Sequence, residues 1–257
     1  MDATSIAERS FSPYQRFAQF YDRVMGDATA PVIHRCFEQS RRHYNLRFSS
    51  AADIGCGTGT FLLHLASLCD RLYGVDCSAE MLAQARRKLA GVNVILLQQD
   101  LRRLRLPRPV DLITCMFDTL NYLTTAAGVQ AALESARENL RKGGSLVFDV
   151  ITGAGEAGRT RRVRQRISLP GQMAIWHLRA DGSRNRSRVE MLWRSSNEQE
   201  ISNTWREVHR QRWYPLPWLC ALLKRCGLQV CGVHDVMSYQ PASPRTWWAH
   251  FVVRRCL

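Results

Sequence analysis

The sequence predicts an α/β protein: a mostly parallel sheet flanked by helices, with an inserted antiparallel β-sheet. Three observations carry this. From about residue 49 to residue 152, short apolar runs alternate with helical periods, as successive βαβ units require. Those runs are nearly continuous rather than alternating, which marks strands buried on both faces. Between Val163 and Trp213 the texture changes to period-two alternation around an Asp181-Gly182 turn, the pattern of antiparallel hairpins.

The elements follow in order. Ala51–Ile54 reads as the first strand, and Phe61–Leu68 as a buried helix. Leu72–Val75 is the second strand. Ser78 can cap a helix whose Met81, Leu82, Ala85 and Leu89 share a face, and Gly91 closes it. Val94–Leu97 and Val110–Phe117 are the third and fourth strands, Thr125–Lys142 a helix ended by Gly143 and Gly144, and Leu146–Ile151 the fifth strand. After the insertion, Pro217 opens a helix that Gly227 ends, and Val230–Val236 and Trp247–Val253 close the sheet. The expected division is 1–48 as an N-terminal helical segment, 49–157 with 214–257 as the main domain, and 158–213 as the insertion.

The chain has 257 residues, 46% apolar and 23% charged, the composition of a globular protein with a sizeable core. No apolar stretch of about 18 residues occurs and the first ten residues are polar, so neither a membrane span nor a secretory leader is expected, and a cytoplasmic location is. Nine cysteines, an odd number without a Cys-x-x-Cys pair, point to reduced thiols and to no metal site. The net charge of +14 is regional. Residues 159–212 hold 13 arginines and five acids, including the cluster Arg159, Arg161, Arg162, Arg164 and Arg166. A solvated strand edge explains such a cluster, and so does a nucleic-acid contact.

The chemistry concentrates in Asp53-Ile54-Gly55-Cys56-Gly57-Thr58-Gly59, a strand that runs into glycines opening a helix. Glycines there let backbone approach a ligand closely. The spacing departs from the dinucleotide fingerprint G-x-G-x-x-G, because the third glycine comes one place early. A carboxylate before the first glycine repels a pyrophosphate and suits a cationic ligand. Asp76 ends the second strand and Asp100 follows the third, so with Asp53 they fall towards the carboxyl edge where open α/β sheets bind ligands.

On these residues the chain resembles the class I S-adenosylmethionine (SAM) dependent methyltransferases, whose first motif is an acidic residue followed by G-x-G-x-G. Its fourth-strand region, Val110 to Leu123, is similar in form to small-molecule enzymes such as glycine and amino-sugar N-methyltransferases. The resemblance implies a Rossmann-like domain with SAM as cofactor. It implies that Asp53, Gly55, Cys56, Gly57 and Gly59 form the SAM turn, that Asp76 accepts from the ribose hydroxyls, and that Asp100 and Leu101 meet the adenine. Cys77, Met81 and Met116 would supply apolar cover. Tyr14, Phe17, Phe20, Tyr21 and Asp22 look like the helix that lids such sites, with Tyr21 reaching the methionyl end; an aromatic helix packed on the domain is the plainer reading.

Phe117 ends the fourth strand and Asp118, Asn121 and Tyr122 come just after it; these should border the methyl donor, with Tyr14 and Trp205 adding aromatic walls for the acceptor. In Ile201–Trp213, positions 205, 207, 209, 211 and 213 share a face; if that aromatic face roofs the pocket, His209 and Glu207 are the titratable groups best placed to act on a substrate, a satisfied structural histidine being the commoner outcome. His209 and Asp118 are the candidate general bases. The expected activity is methyl transfer to a small-molecule amine, hydroxyl or carbon. The runner-up is an RNA methyltransferase using the basic insertion, and the other alternative a SAM-binding protein without turnover.

Overall fold

The computed structural model describes residues 9–153, 160–170, 172–195 and 204–256. In chain order, β1 (Arg9–Phe11) and α1 (Asp27–His43) precede β2 (Ser50–Ile54), α2 (Thr60–Ala66), β3 (Arg71–Asp76), α3 (Ala79–Lys88) and β4 (Ile95–Gln98). Then come β5 (Val110–Cys115), α4 (Ala126–Asn139) and β6 (Leu140–Ile151). The meander β7 (Thr160–Leu169), β8 (Gln172–Asp181), β9 (Arg186–Ser195) and β10 (Trp205–Arg212) follows, and α5 (Leu216–Arg225), β11 (Leu228–Asp235) and β12 (Trp248–Arg255) complete the chain.

The seven-stranded sheet has the order β11-β12-β6-β5-β2-β3-β4. Neighbours from β6 to β4 are parallel, and β12 runs antiparallel to both β6 and β11. The continuous apolar runs have a direct cause: adjacent residues of one strand belong to different cores. Ala52, Ile113 and Phe148 pack in the cluster that includes residues of α4 and α5, while Ala51, Leu112 and Val147 pack in the one that includes residues of α1, α2 and α3. Each fully buried large aliphatic or aromatic side chain contributes about 1.5–3 kcal/mol, so strands sandwiched this way favour apolar residues on both faces.

The second sheet has the order β1-β10-β9-β8-β7. β7 to β10 form the antiparallel insertion, with the Asp181-Gly182 turn between β8 and β9. β1 pairs with β10 in parallel, Arg9 opposite Trp205, so the N-terminal segment supplies a strand before its helical part. Three residues carry too little pattern to reveal a partner so remote in sequence. The last helix before β6 is also shorter than its periodicity suggests. It stops at Asn139, whose amide donates to the Leu104 and Ser135 carbonyls and accepts from the Leu106 amide, and Leu140 already pairs with Val110. Arg159, part of the arginine cluster, lies outside the described residues.

Candidate active site

The carboxyl ends of β2, β3, β4 and β5 meet at one sheet edge, where Asp76 is paired with Gln98 and Ile54 with Val75. Gly55 leaves β2 at φ +73°, and a Cβ there would fall 2.3 Å from Thr119 Cγ2; only glycine fits. The amides of Gly55 and Cys56 donate to the Val75 carbonyl at 2.7 and 2.9 Å. Gly57, at φ +55°, leaves its open side towards Met81 Cε, 3.8 Å from where a Cβ would sit. Asp76 ties this turn to the start of α3: its Oδ2 accepts from the Gly57 amide at 2.9 Å and its Oδ1 from the Ser78 amide at 2.8 Å. Ser78 Oγ in turn accepts from the Met81 amide, capping α3.

Above this edge lies a cavity of about 750 Å³, within the usual range for small-molecule sites. Of the sequence candidates, Tyr21, Gly55, Cys56, Gly57, Asp76, Cys77, Met81, Asp100 and Leu101 border it, and so do Tyr14, Phe117 and Tyr122. Backbone without side chains, the half-buried Asp76 carboxylate and the apolar side chains of Met81 and Leu101 fit an adenosine-bearing ligand. The Asp100 carboxylate is already held by the Arg102 guanidinium, with Nε 2.9 Å from both oxygens, an arrangement that lowers its pKa.

Several candidates stand behind the wall instead. Asp53 is buried and accepts from Thr114 Oγ1 at 2.7 Å. Gly59 faces Leu89 and Ala85, and Met116 sits in the core. These three shape the turn without bordering the cavity. Asn121 is fully buried, its amide donating to the Ile151 and Arg212 carbonyls while its oxygen accepts from the Ile151 amide; it joins β6 to β10 and has no group left for a substrate. Trp205 is stacked on Trp193 at 5.1 Å, inside the aromatic cluster that also takes in Phe17 and Phe20. The sequence pattern put Asn121 and Trp205 on the correct elements but could not show which way they point.

His209 reaches the cavity only through intermediaries. The Tyr14 hydroxyl donates to the Tyr122 hydroxyl at 2.5 Å, and Tyr122 lies 3.0 Å from His209 Nδ1. His209 Nε2 is 3.3 Å from Glu207 Oε2. The consistent assignment has Tyr122 donating to Nδ1 and the Nε2 proton donated to Glu207. Glu207, fully buried, also accepts from the backbone amides of Tyr14, Arg16 and Phe17. One carboxylate thus holds both the histidine and the N-terminal segment that covers the site.

A second tie escaped the sequence reading. Lys88 Nζ donates to Thr58 Oγ1, Thr60 Oγ1 and Asp22 at 2.9, 2.7 and 2.7 Å, joining α3, the glycine turn and the residue after Tyr21. The only available signal was that a lysine stands at 88 in a chain where arginine is the usual base. Gln98, Gln99 and Thr119 also border the cavity.

Phe117 and Asp118 occupy consecutive left-handed conformations, φ +59° and +50°, which cost on the order of 1–3 kcal/mol each in a non-glycine residue. Asp149 holds them there: its carboxylate accepts both amides at 2.7 and 2.8 Å and the Trp248 indole N–H at 2.7 Å. Asp118 itself accepts from Gln211 and lies behind Phe117 rather than on the cavity surface. Burial pushes Asp53 and Asp118 up to about 7 and Asp149 to about 6, with Asp149 adding to the rise at Asp118. A carboxyl group whose folded pKa exceeds its unfolded value stabilises the fold most below the unfolded value, near pH 4, and that stability is lost as pH rises through the folded pKa. Urea midpoints are therefore expected to reveal a contribution from Asp118 that falls between about pH 4 and 7, and Asp118→Asn should flatten that part of the profile. An unchanged slope would contradict the assignment.

A parallel sheet with this strand order, a glycine turn and a strand-end carboxylate beneath one cavity is the arrangement that the resemblance to class I SAM-dependent methyltransferases implies. Residues 51–144 match the methyltransferase domain family. A putative methyltransferase of Bacillus subtilis (strain 168), YqeM, is 30% identical over 90% of this chain and 92% of its own length. The dTDP-3-amino-3,6-dideoxy-alpha-D-glucopyranose N,N-dimethyltransferase of Streptomyces fradiae is 32% identical over 62% of the chain and 63% of the enzyme. Coverage is uneven, since the chain spans only 57% of a putative methyltransferase of Geobacillus. A SAM-dependent methyltransferase structure from Clostridium acetobutylicum ATCC 824 shares the fold with a TM-score of 0.80 at 22% identity, covering 95% of this chain and 99% of the other. The chain belongs to the methyltransferase family.

Proposed function

We infer that this chain transfers the methyl group of SAM to an amine of a small molecule, of which an amino sugar is the favoured class. The observation that carries this is the far end of the cavity, where the hydroxyls of Tyr14 and Tyr122 converge beside Tyr21: a compact polar wall suited to one small acceptor. The Streptomyces relative, which acts on a sugar amine, supports the amine over a hydroxyl or a carbon. No helix among the described residues is long and apolar enough to cross a membrane.

Bound SAM supplies an electrophilic methyl group on a sulfonium. Asp76, Gly55 and Gly57 would hold its adenosine and methionyl parts, with Met81 and Leu101 against the ring. The residues of the chain then contribute alignment, which is worth up to about 7–11 kcal/mol of barrier in well-oriented reactions. Burial raises the pKa of Tyr14 and Tyr122, so both stay protonated and act as hydrogen-bonding groups. A proton given up by the acceptor nitrogen to the Tyr14 oxygen can move as each hydroxyl passes its own proton on, and it ends on His209 Nδ1 beside Glu207. His209 is in this reading the base, acting through Tyr122, while Asp118 positions Gln211.

Assay of methyl transfer to a panel of amino-sugar and hydroxyl acceptors tests the reading. His209→Asn is expected to lower kcat about 100-fold, in line with the usual yield of a general base, and to leave SAM affinity unchanged. Methylation of hydroxyls with no amine product would overturn the acceptor class, and an unaltered kcat in His209→Asn would remove His209 as base.

A further inference from the structure

We propose that the outer face of the second sheet is a docking surface for an acidic protein partner. The register of the meander places Arg162 opposite Arg179, Arg179 opposite Arg188, and Arg188 opposite Arg210. Four arginines therefore form one straight row across four strands, about 14 Å long at the usual spacing of roughly 4.8 Å. Like charges directly opposed across strands are destabilising, so the row carries a cost for the free protein. Arg188 has Glu190 at 3.1 Å. Arg162, Arg179 and Arg210 are exposed and have no carboxylate partner among the described residues.

The surroundings of the row select the partner. Side chains alternate faces along each strand, and among the described residues the face away from Trp193 and Glu207 carries ten arginines against two carboxylates, Asp181 and Glu190. At its centre Ile175 and Leu192 are opposed and only half-buried. An apolar centre with arginine around it is the anatomy of a protein interface, and each guanidinium can take a carboxylate bidentately. Nucleic acid fits less well, because among the described residues the face holds no Phe, Tyr or Trp on which bases could stack. A second copy in a two-fold arrangement would set the basic face against itself. Ten residues at about 3.4 Å and four strands at about 4.8 Å give a face of roughly 650 Å², close to the ~800 Å² per partner of a standard interface.

The test uses the whole chain and a fluorescein-labelled amphipathic peptide of glutamate and leucine, with a single-stranded oligouridine as competitor. The peptide is expected to bind in a salt-sensitive manner. The triple variant Arg162→Ser, Arg179→Ser, Arg210→Ser should bind it at least about tenfold more weakly, as the loss of three exposed charge pairs implies, and should melt at a higher temperature at low salt. Asp76→Ala should leave peptide binding unchanged, which separates this surface from the cavity. Equal peptide affinity in the triple variant, preferential binding of the oligouridine, or self-association that the variant abolishes would each overturn the proposal.

Discussion

Asp76→Ala is expected to weaken binding of S-adenosylhomocysteine, the demethylated product, by about 100-fold or more in calorimetry. The carboxylate is inside the cavity wall, raised in pKa by burial, and held by the amides of Gly57 and Ser78. Its remaining lone pairs are free to accept from a ligand diol, and hydrogen bonds to a charged acceptor are worth about 1.5–3 kcal/mol each. Two of them correspond to roughly 100-fold or more. The substitution also releases Gly57, so the backbone cradle loosens. Asp100→Ala should cost less, since that carboxylate is already neutralised by Arg102. A urea midpoint measured alongside separates lost affinity from lost folding, and unchanged affinity in Asp76→Ala would refute its place in the site.

Glu207→Ala is expected to produce the largest loss of stability, about 3–5 kcal/mol, the usual result of removing one member of a buried charged network. Three amides and His209 lose their acceptor at once. For a chain of this size each kcal/mol lowers Tm by about 2–4 °C, so calorimetry should record a drop of roughly 10 °C. Glu207→Gln keeps an acceptor for the Tyr14–Phe17 segment and should retain much of the Tm. A change under about 1 kcal/mol in the alanine variant would mean that water replaces the carboxylate and that the N-terminal segment is held by its aromatic packing alone.

Legibility followed the range of the interaction. The glycine turn, Asp76 and the succession of strands and helices could be read because each depends on neighbours a few residues away, or on the regular repeat that βαβ units impose. The direction of Asn121 and Trp205 could not, since it follows from a contact with Arg212 far along the chain in one case and from pairing with Trp193 on the neighbouring strand in the other. His209 lay on the predicted face of its strand, yet its connection to the cavity runs through Tyr122, 87 residues away, and no local pattern encodes that. Asp149 was invisible for a similar reason: an acid inside an apolar run gives no sign that it supports two strained residues after the preceding strand. The arginine row depends wholly on register, so the sequence displayed its charge without its alignment.

The most direct test of the account is titration calorimetry of the purified chain with S-adenosylhomocysteine and, separately, with a nicotinamide dinucleotide. Saturable one-site binding of the former and none of the latter is the predicted result. Binding of the dinucleotide with no heat from the sulfur nucleoside would contradict the assignment of the cavity.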